Sequence, residues 1–287
     1  MDIVILDLQR RGVASTILIA ASNRDEAGKN IATKIIELYE FKTLPAQFRG
    51  NPVYERDVGG VKARLAFVDE DSVHAQFIQD YFEAELLIFV SRHSSLSKIP
   101  TLSVHTPGNL TNEAKLGGLP RRVSVSPAST MKDTLQHMGI MNNEMGLEYK
   151  VSYECTHHGP SLDIPTMFAE LGSSPEQWRD LKAAEIVARA VVHSIQERST
   201  YPAALGVGGP HYNEKLTRMA LSTSVAFGHI IPKHVTHLID ASMVRQCVER
   251  TREKVESAVI DWKGIRAADR DRIVAVLRDM DTEIERV

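Results

Sequence analysis

The chain has 287 residues, 43% of them apolar and 25% charged, with 34 Lys plus Arg against 37 Asp plus Glu and a formal charge of −3. These values suit a globular protein of one large domain or two fused ones, and they exclude a disordered tail, a fibrous repeat and a coiled coil as the main body. A strongly basic footprint is also excluded, so any nucleic acid must be held by a local patch rather than by the global field.

The opening MDIVILDLQRRGVAS carries Asp2 and Asp7 inside its apolar run and has no basic leader, so it does not read as a secretory signal. TILIAAS (16–22) is a β-branched apolar run of strand length. Ser22 can cap the following helix, with Asp25 in its first turn, and Ile31, Ile35 and Leu38 fall at helical spacing. A strand feeding a helix points to an open α/β sheet. VKARLAFV (61–68) alternates as a half-buried strand, and residues 69–82 read as a helix. ELLIFVS (85–91) and TLSVH (101–105) are further strands. Residues 106–129, rich in Gly and Pro, read as one long connection, and loops of that length are more often functional than idle.

LEYKVSYE (147–154) alternates as a strand, and IPTMFAEL (164–171) is another. Ser174, Pro175 and Gln177 form a capping-box start for a helix running to about residue 196. ALGVGGPHY (204–212) and SVAFGHIIPKH (224–234) are strand-like runs ending in Gly, Pro or His. The last 48 residues hold 10 Lys plus Arg against 11 Asp plus Glu, a mixed and solvated surface. The expected domain organisation is one compact unit over residues 1–287, with two intertwined subdomains as a variant. Two cysteines, Cys155 and Cys247, are too few for a disulfide framework. No apolar stretch approaches the ~20 residues that span a bilayer. A cytoplasmic protein without a membrane partner is expected.

Ten of the eleven histidines lie between His93 and His237. His93, His105, the pair His157–His158, His211 and His229 each follow or end a predicted strand, the last three segments beside Gly or Pro. In open α/β sheets ligands bind outside the carboxyl ends of parallel strands, so separate segments would deliver imidazoles to one crevice. Catalytic zinc takes three protein ligands from His, Asp and Glu and keeps a position for water. Glu154, Cys155, His157 and His158 offer a carboxylate, a thiol and two imidazoles within five residues. On an extended strand these point to alternate faces, so the strand must end inside the segment for all to meet one ion. Single histidines are ordinarily structural, and His74 and His193 fit helix surfaces. Cys155 is either a nucleophile paired with a histidine or a small buried hydrophobe. Gly208 and Gly209 belong to neither a P-loop nor a dinucleotide motif; they form a tight turn or bring backbone N–H groups to an oxyanion.

Six blocks occur in order: SRHSS (91–95), LSVHTPGN (102–109), PRRVSVSPAS (120–129), YECTHHGPS (153–161), GVGGPHY (206–212) and FGHIIPKH (227–234). Together they resemble the archaeal and plant-type D-aminoacyl-tRNA deacylases, zinc-dependent enzymes that include D-tyrosyl-tRNA deacylase, over nearly the whole chain. The resemblance implies hydrolysis of the ester between a D-amino acid and the terminal ribose of tRNA, which is chiral proofreading. It also implies a three-layer α/β fold with a mixed, largely parallel sheet flanked by helices, similar in outline to phosphorylase- and peptidyl-tRNA-hydrolase-like architectures.

Residue chemistry then assigns the roles. His105, Glu154, His157 and His211 are the expected ligands for one or two Zn2+ ions. His158 and His229, with Glu154, are the expected acid–base partners. Gly208 and Gly209 are candidate oxyanion donors, and Arg121, Arg122 and Lys233 candidate contacts to tRNA phosphates. A monomer is expected. The alternatives are a zinc hydrolase of a small amide or of peptidyl-tRNA, and a non-enzymatic RNA-binding protein with structural histidines.

Overall fold

A computed structural model describes residues 16–287; the opening segment read above lies outside them. β1 (Thr16–Ser22) is buried throughout and leads into α1 (Glu26–Leu38). Asp25, not Ser22, is the N-cap: its carboxylate accepts from the Gly28 N–H, while the Ser22 hydroxyl donates to the Glu70 carbonyl. An antiparallel meander follows, β2 (Lys42–Phe48), β3 (Asn51–Val58) and β4 (Val61–Val68). Residues 69–82 fold as two 3-10 turns, Ser72–His74 and Gln76–Asp80, rather than as one α-helix.

β5 (Leu86–Arg92) and β6 (Thr101–His105) precede the short pair β7 (Gly108–Asn109) and β8 (Arg122–Val123), which interrupts the long connection. α2 (Ala128–Glu144), β9 (Lys150–Tyr153) and β10 (Thr166–Gly172) come next. The single helix expected from residue 174 is two, α3 (Pro175–Trp178) and α4 (Leu181–Glu197); the capping box starts the first and the Asp180 carboxylate caps the second. The chain ends with β11 (Ala203–Val207), α5 (Glu214–Ser222), β12 (Ala226–Ile231), α6 (Ala241–Glu249), β13 (Val255–Ile260), α7 (Ala267–Asp279) and β14 (Glu283–Arg286). Among the described residues no helix is long and apolar enough to cross a membrane.

Eight strands form the main sheet in the order β2-β3-β4-β1-β5-β10-β6-β9. The pairs β4-β1, β1-β5, β5-β10 and β6-β9 are parallel. One face packs Ile17, Ile19, Ile88 and Val90 against α1, α2 and α4; the other packs Leu18, Leu87, Phe89 and Phe168 against the 3-10 turns. Burial on both faces is why β1 reads as an unbroken apolar run. A second, all-parallel sheet, β12-β11-β13-β14, has its own core with α6 and α7. The fold is therefore α/β, with a large, largely parallel sheet flanked by helices.

Strand direction departs from the expectation at one decisive place. β6 runs antiparallel to β10, so the carboxyl ends of β5 and β6 lie at opposite edges of the sheet. What gathers the polar groups is a shared face. Register pairs Ser91 with Glu170, Glu170 with Ser103, Phe168 with His105 and Ser103 with Ser152. The two-residue period then puts His93, His105 and Glu154 on the same side as Glu170.

Candidate functional site

Glu154 and Glu170 form the floor of the site, 2% and 4% exposed. The Nε2 of His211 lies 2.8 Å from Glu154 Oε2, and that of His157 lies 3.8 Å from the same oxygen. His93 Nδ1 sits 3.1 Å from Glu154 Oε1 and 3.5 Å from Glu170 Oε2. Ser91 donates to Glu170 at 2.6 Å, and Tyr212 OH pairs with His93 Nε2 at 2.8 Å. His105 stacks on Phe168 with ring centroids 5.1 Å apart, and His157 and His158 lie 4.3 and 4.8 Å from His105 by the same measure. β9 stops at Tyr153, so the strict alternation ends where the chemistry starts. Glu154, Cys155, His157 and His158 all reach the cluster, while Thr156 turns to His229.

Two carboxylates this deeply buried need compensating charge. Burial alone would keep His93 neutral, but its contacts with Glu154 and Glu170 outweigh that and raise it to about 10. His211 is likewise raised to about 11, against burial, by Cys155 and Glu154. Glu170 is correspondingly held down at about 2, against burial, by His105 and His93, and Glu154 is held well below the usual carboxylate range. His158 is pushed down to about 4 by burial and the neighbouring His105; the same two causes lower His157.

Three groups of donors each lie within 4.8 Å of one another: His105, His157 and His158; Cys155, His157 and His211; His93, Glu154 and Glu170. His105 is 1% exposed, yet neither of its ring nitrogens has a hydrogen-bond partner. A buried polar group in that state costs roughly 1–3 kcal/mol, and a cation bound to one nitrogen would satisfy it. Imidazole, thiolate and carboxylate donors together fit zinc. These residues therefore fit a metal.

The cluster opens into a cleft of about 800 Å³ lined by Arg121, Cys155, His157, His158 and His211 among others. Arg121 already holds Asp240 at 2.7 Å and Ser242 at 3.0 Å. Lys233 is exposed at the rim, next to Pro232 and His234 of the cleft wall. Three expectations are not met in place. His229 is fully buried inside β12, with Nδ1 3.0 Å from Thr156 Oγ1 and Nε2 3.2 Å from the Arg250 carbonyl, so both nitrogens are engaged away from the clefts. The Gly208 N–H donates to the Ile231 carbonyl at 2.8 Å and is spent; Gly209 packs on Asn213 and lines neither cleft at the cluster. Arg122 pairs with Asp163 outside the cleft wall.

Sequence reasoning left out Glu170 and Tyr212, offered the Cys155 thiol without placing it among the expected ligands, and noted His93 without a role. Glu170 carried a legible signal: it is the only acid in a seven-residue strand with every residue buried, and unpaired acids are not buried.

The D-aminoacyl-tRNA deacylase family model matches residues 80–285. A D-aminoacyl-tRNA deacylase from Thermococcus kodakarensis is 37% identical over 274 residues, covering 94% of this chain and 99% of that protein. One from Pyrococcus abyssi is 35% identical over 275 residues, covering 93% and 98%. A solved crystal structure, described as a conserved protein of unknown function, overlays with a TM-score of 0.86 at 28% identity over 95% of each chain. With a histidine–carboxylate cluster at its centre and this likeness along almost its whole length, the chain belongs to the D-aminoacyl-tRNA deacylase family.

Proposed function

We propose that the chain hydrolyses the ester between a D-amino acid and the terminal ribose of tRNA, using water activated at the histidine–carboxylate cluster with the help of zinc. Family membership supports the substrate class. The buried His105, whose ring nitrogens have no hydrogen-bond partner and reach Glu170 only at 3.8 Å, is the observation that carries the metal. His105, Glu154, His157 and His211 would hold the ion, with Cys155 as a further donor and His157 common to two donor groups. When bound, zinc supplies Lewis acidity that eases deprotonation of water and polarises a carbonyl.

The chain's own residues do the rest. His158 bonds the Gly159 carbonyl through Nδ1, which leaves Nε2 as the atom free to take a proton from water. Glu154 and Cys155 lie 2.8 and 3.2 Å from the two ring nitrogens of His211, so the nitrogen that takes the ion would give up one of these contacts. Arg121 and Lys233 supply positive charge where the tRNA backbone would run. An aminoacyl ester is already activated, so positioning matters more than strong acid catalysis. Selectivity for the D form rests on the shape of the pocket.

Hydrolysis of D- and L-tyrosyl-tRNA, measured before and after chelation, tests this. The expected result is hydrolysis of the D form only, lost on chelation and restored by zinc. Equal rates on both forms would defeat the chiral reading; full activity after complete metal removal would defeat the zinc and leave the deacylase.

A further inference from the structure

Two clefts meet at the histidine cluster. The smaller, of about 480 Å³, borders the 3-10 turn Ser72–His74. Leu116, His157, His158 and His211 line both clefts and so form a common wall. A bond cut at that wall leaves half of its substrate in each cleft.

Charge separates the two. The larger cleft sets Lys115 and Arg121 against Glu113. The smaller sets Asp25, Asp71, Glu154 and Glu170 against Arg92, His93 and His211. A polyanionic tRNA end suits the first, and an amino acid's ammonium suits the second. An independent observation lies in the smaller cleft. Ser72 lines it and is 6% exposed, and its buried hydroxyl has no hydrogen-bond partner. Buried hydroxyls are ordinarily paired, and this one can accept from an ammonium or donate to a carbonyl. Beside it, Asp71 is tied only loosely to Arg92, at 3.8 Å.

The wall is also fixed to this turn. Gly117 has a φ of +72°, and a Cβ there would fall 1.9 Å from the Val73 carbonyl oxygen. Only glycine lets the loop bearing Leu116 press onto the turn bearing Ser72 and Val73.

We propose that the smaller cleft is the aminoacyl pocket, with Ser72 and Asp71 holding the α-amino group and Val73 bounding the side chain, and that the larger cleft seats the terminal nucleotide. This rests on the deacylase reading above. Val73 and Ser94 line the smaller cleft and Val235 the larger, so Val73→Phe and Ser94→Trp each narrow the first and Val235→Phe the second. Rates are measured on D-alanyl-tRNA and D-tyrosyl-tRNA. In the first two variants, kcat/KM for D-tyrosyl-tRNA falls at least ten-fold more than for D-alanyl-tRNA, whereas Val235→Phe lowers both alike. Parallel loss or no loss in both small-cleft variants, or size discrimination arising only from Val235→Phe, would overturn the assignment. Wild-type protein inactive on either tRNA would bring down the deacylase reading itself, and the assignment with it.

Discussion

Glu154 sits at the centre of the cluster because three imidazoles converge on its carboxylate from separate segments: His93 after β5, His157 three residues on, and His211 after β11. None of those rings is held by a local turn alone, so the site exists only in the folded chain. His229 is a contrasting histidine. Burial holds it at about 4 in the fold against 6.5 in an open chain, so the folded state prefers it neutral. Its contribution to stability is complete above pH 6.5 and is lost as pH falls from there toward 4. Linkage gives about 2 kcal/mol between pH 7.5 and pH 5. Denaturant titrations at the two pH values should show wild-type protein losing about that much more than His229→Gln. Equal losses in the two proteins would mean that His229 does not set this dependence.

At the scale of elements, a buried cation clasps the end of a helix. Lys132 on α2 is 1% exposed and donates to the carbonyls of Ala220, Thr223 and Val225 at the C-terminus of α5. Lys132→Met keeps the bulk and orphans those carbonyls, so it should cost about 3 kcal/mol of stability by chemical denaturation; a change below 0.5 kcal/mol, within the usual surface-substitution range of about ±0.5 kcal/mol, would contradict the clasp. The elements differ in how plainly the sequence declares them. β1, β4 and β6 coincide with the runs read as strands: β1 is apolar nearly throughout because both its faces are buried, while β4 and β6 set Lys62 and Arg64, or Ser103, between apolar residues at a period of two. Residues 69–82 bury Ala75, Ile78 and Phe82 at the spacing of a helix, yet the N–H groups of Ala75 and Ile78 bond three residues back, a distinction that periodicity does not carry. The direction of β6 is equally invisible, since parallel and antiparallel partners make the same demand on side chains that are buried. His229 was misplaced for a related reason: Gly228 reads as a strand end, but β12 continues to Ile231.

At the scale of the molecule, the cluster lies on the seam between two sheets. The segment 154–157 hydrogen-bonds to Val104 of the main sheet through the Glu154 N–H and to Ile230 of the second sheet through the Thr156 N–H. Glu154 also bridges Tyr212, and His157 bridges Pro107. The second sheet supplies His211 to donors that come from the main sheet and the segments after its strands, so loosening the seam would withdraw that ring from Glu154 and Cys155. That histidines would converge was legible from their recurrence beside strand ends; that they converge on a face, through Glu170 and an antiparallel strand, needed the register. The most direct test is to substitute His105 by Ala and to measure bound zinc, circular dichroism and D-tyrosyl-tRNA hydrolysis together with the wild type. The expected result is stoichiometric zinc in the wild type, reduced zinc in a folded His105→Ala protein, and a fall in kcat of at least 100-fold. A folded variant that deacylates at the wild-type rate would contradict the proposal that this cluster is the hydrolytic centre.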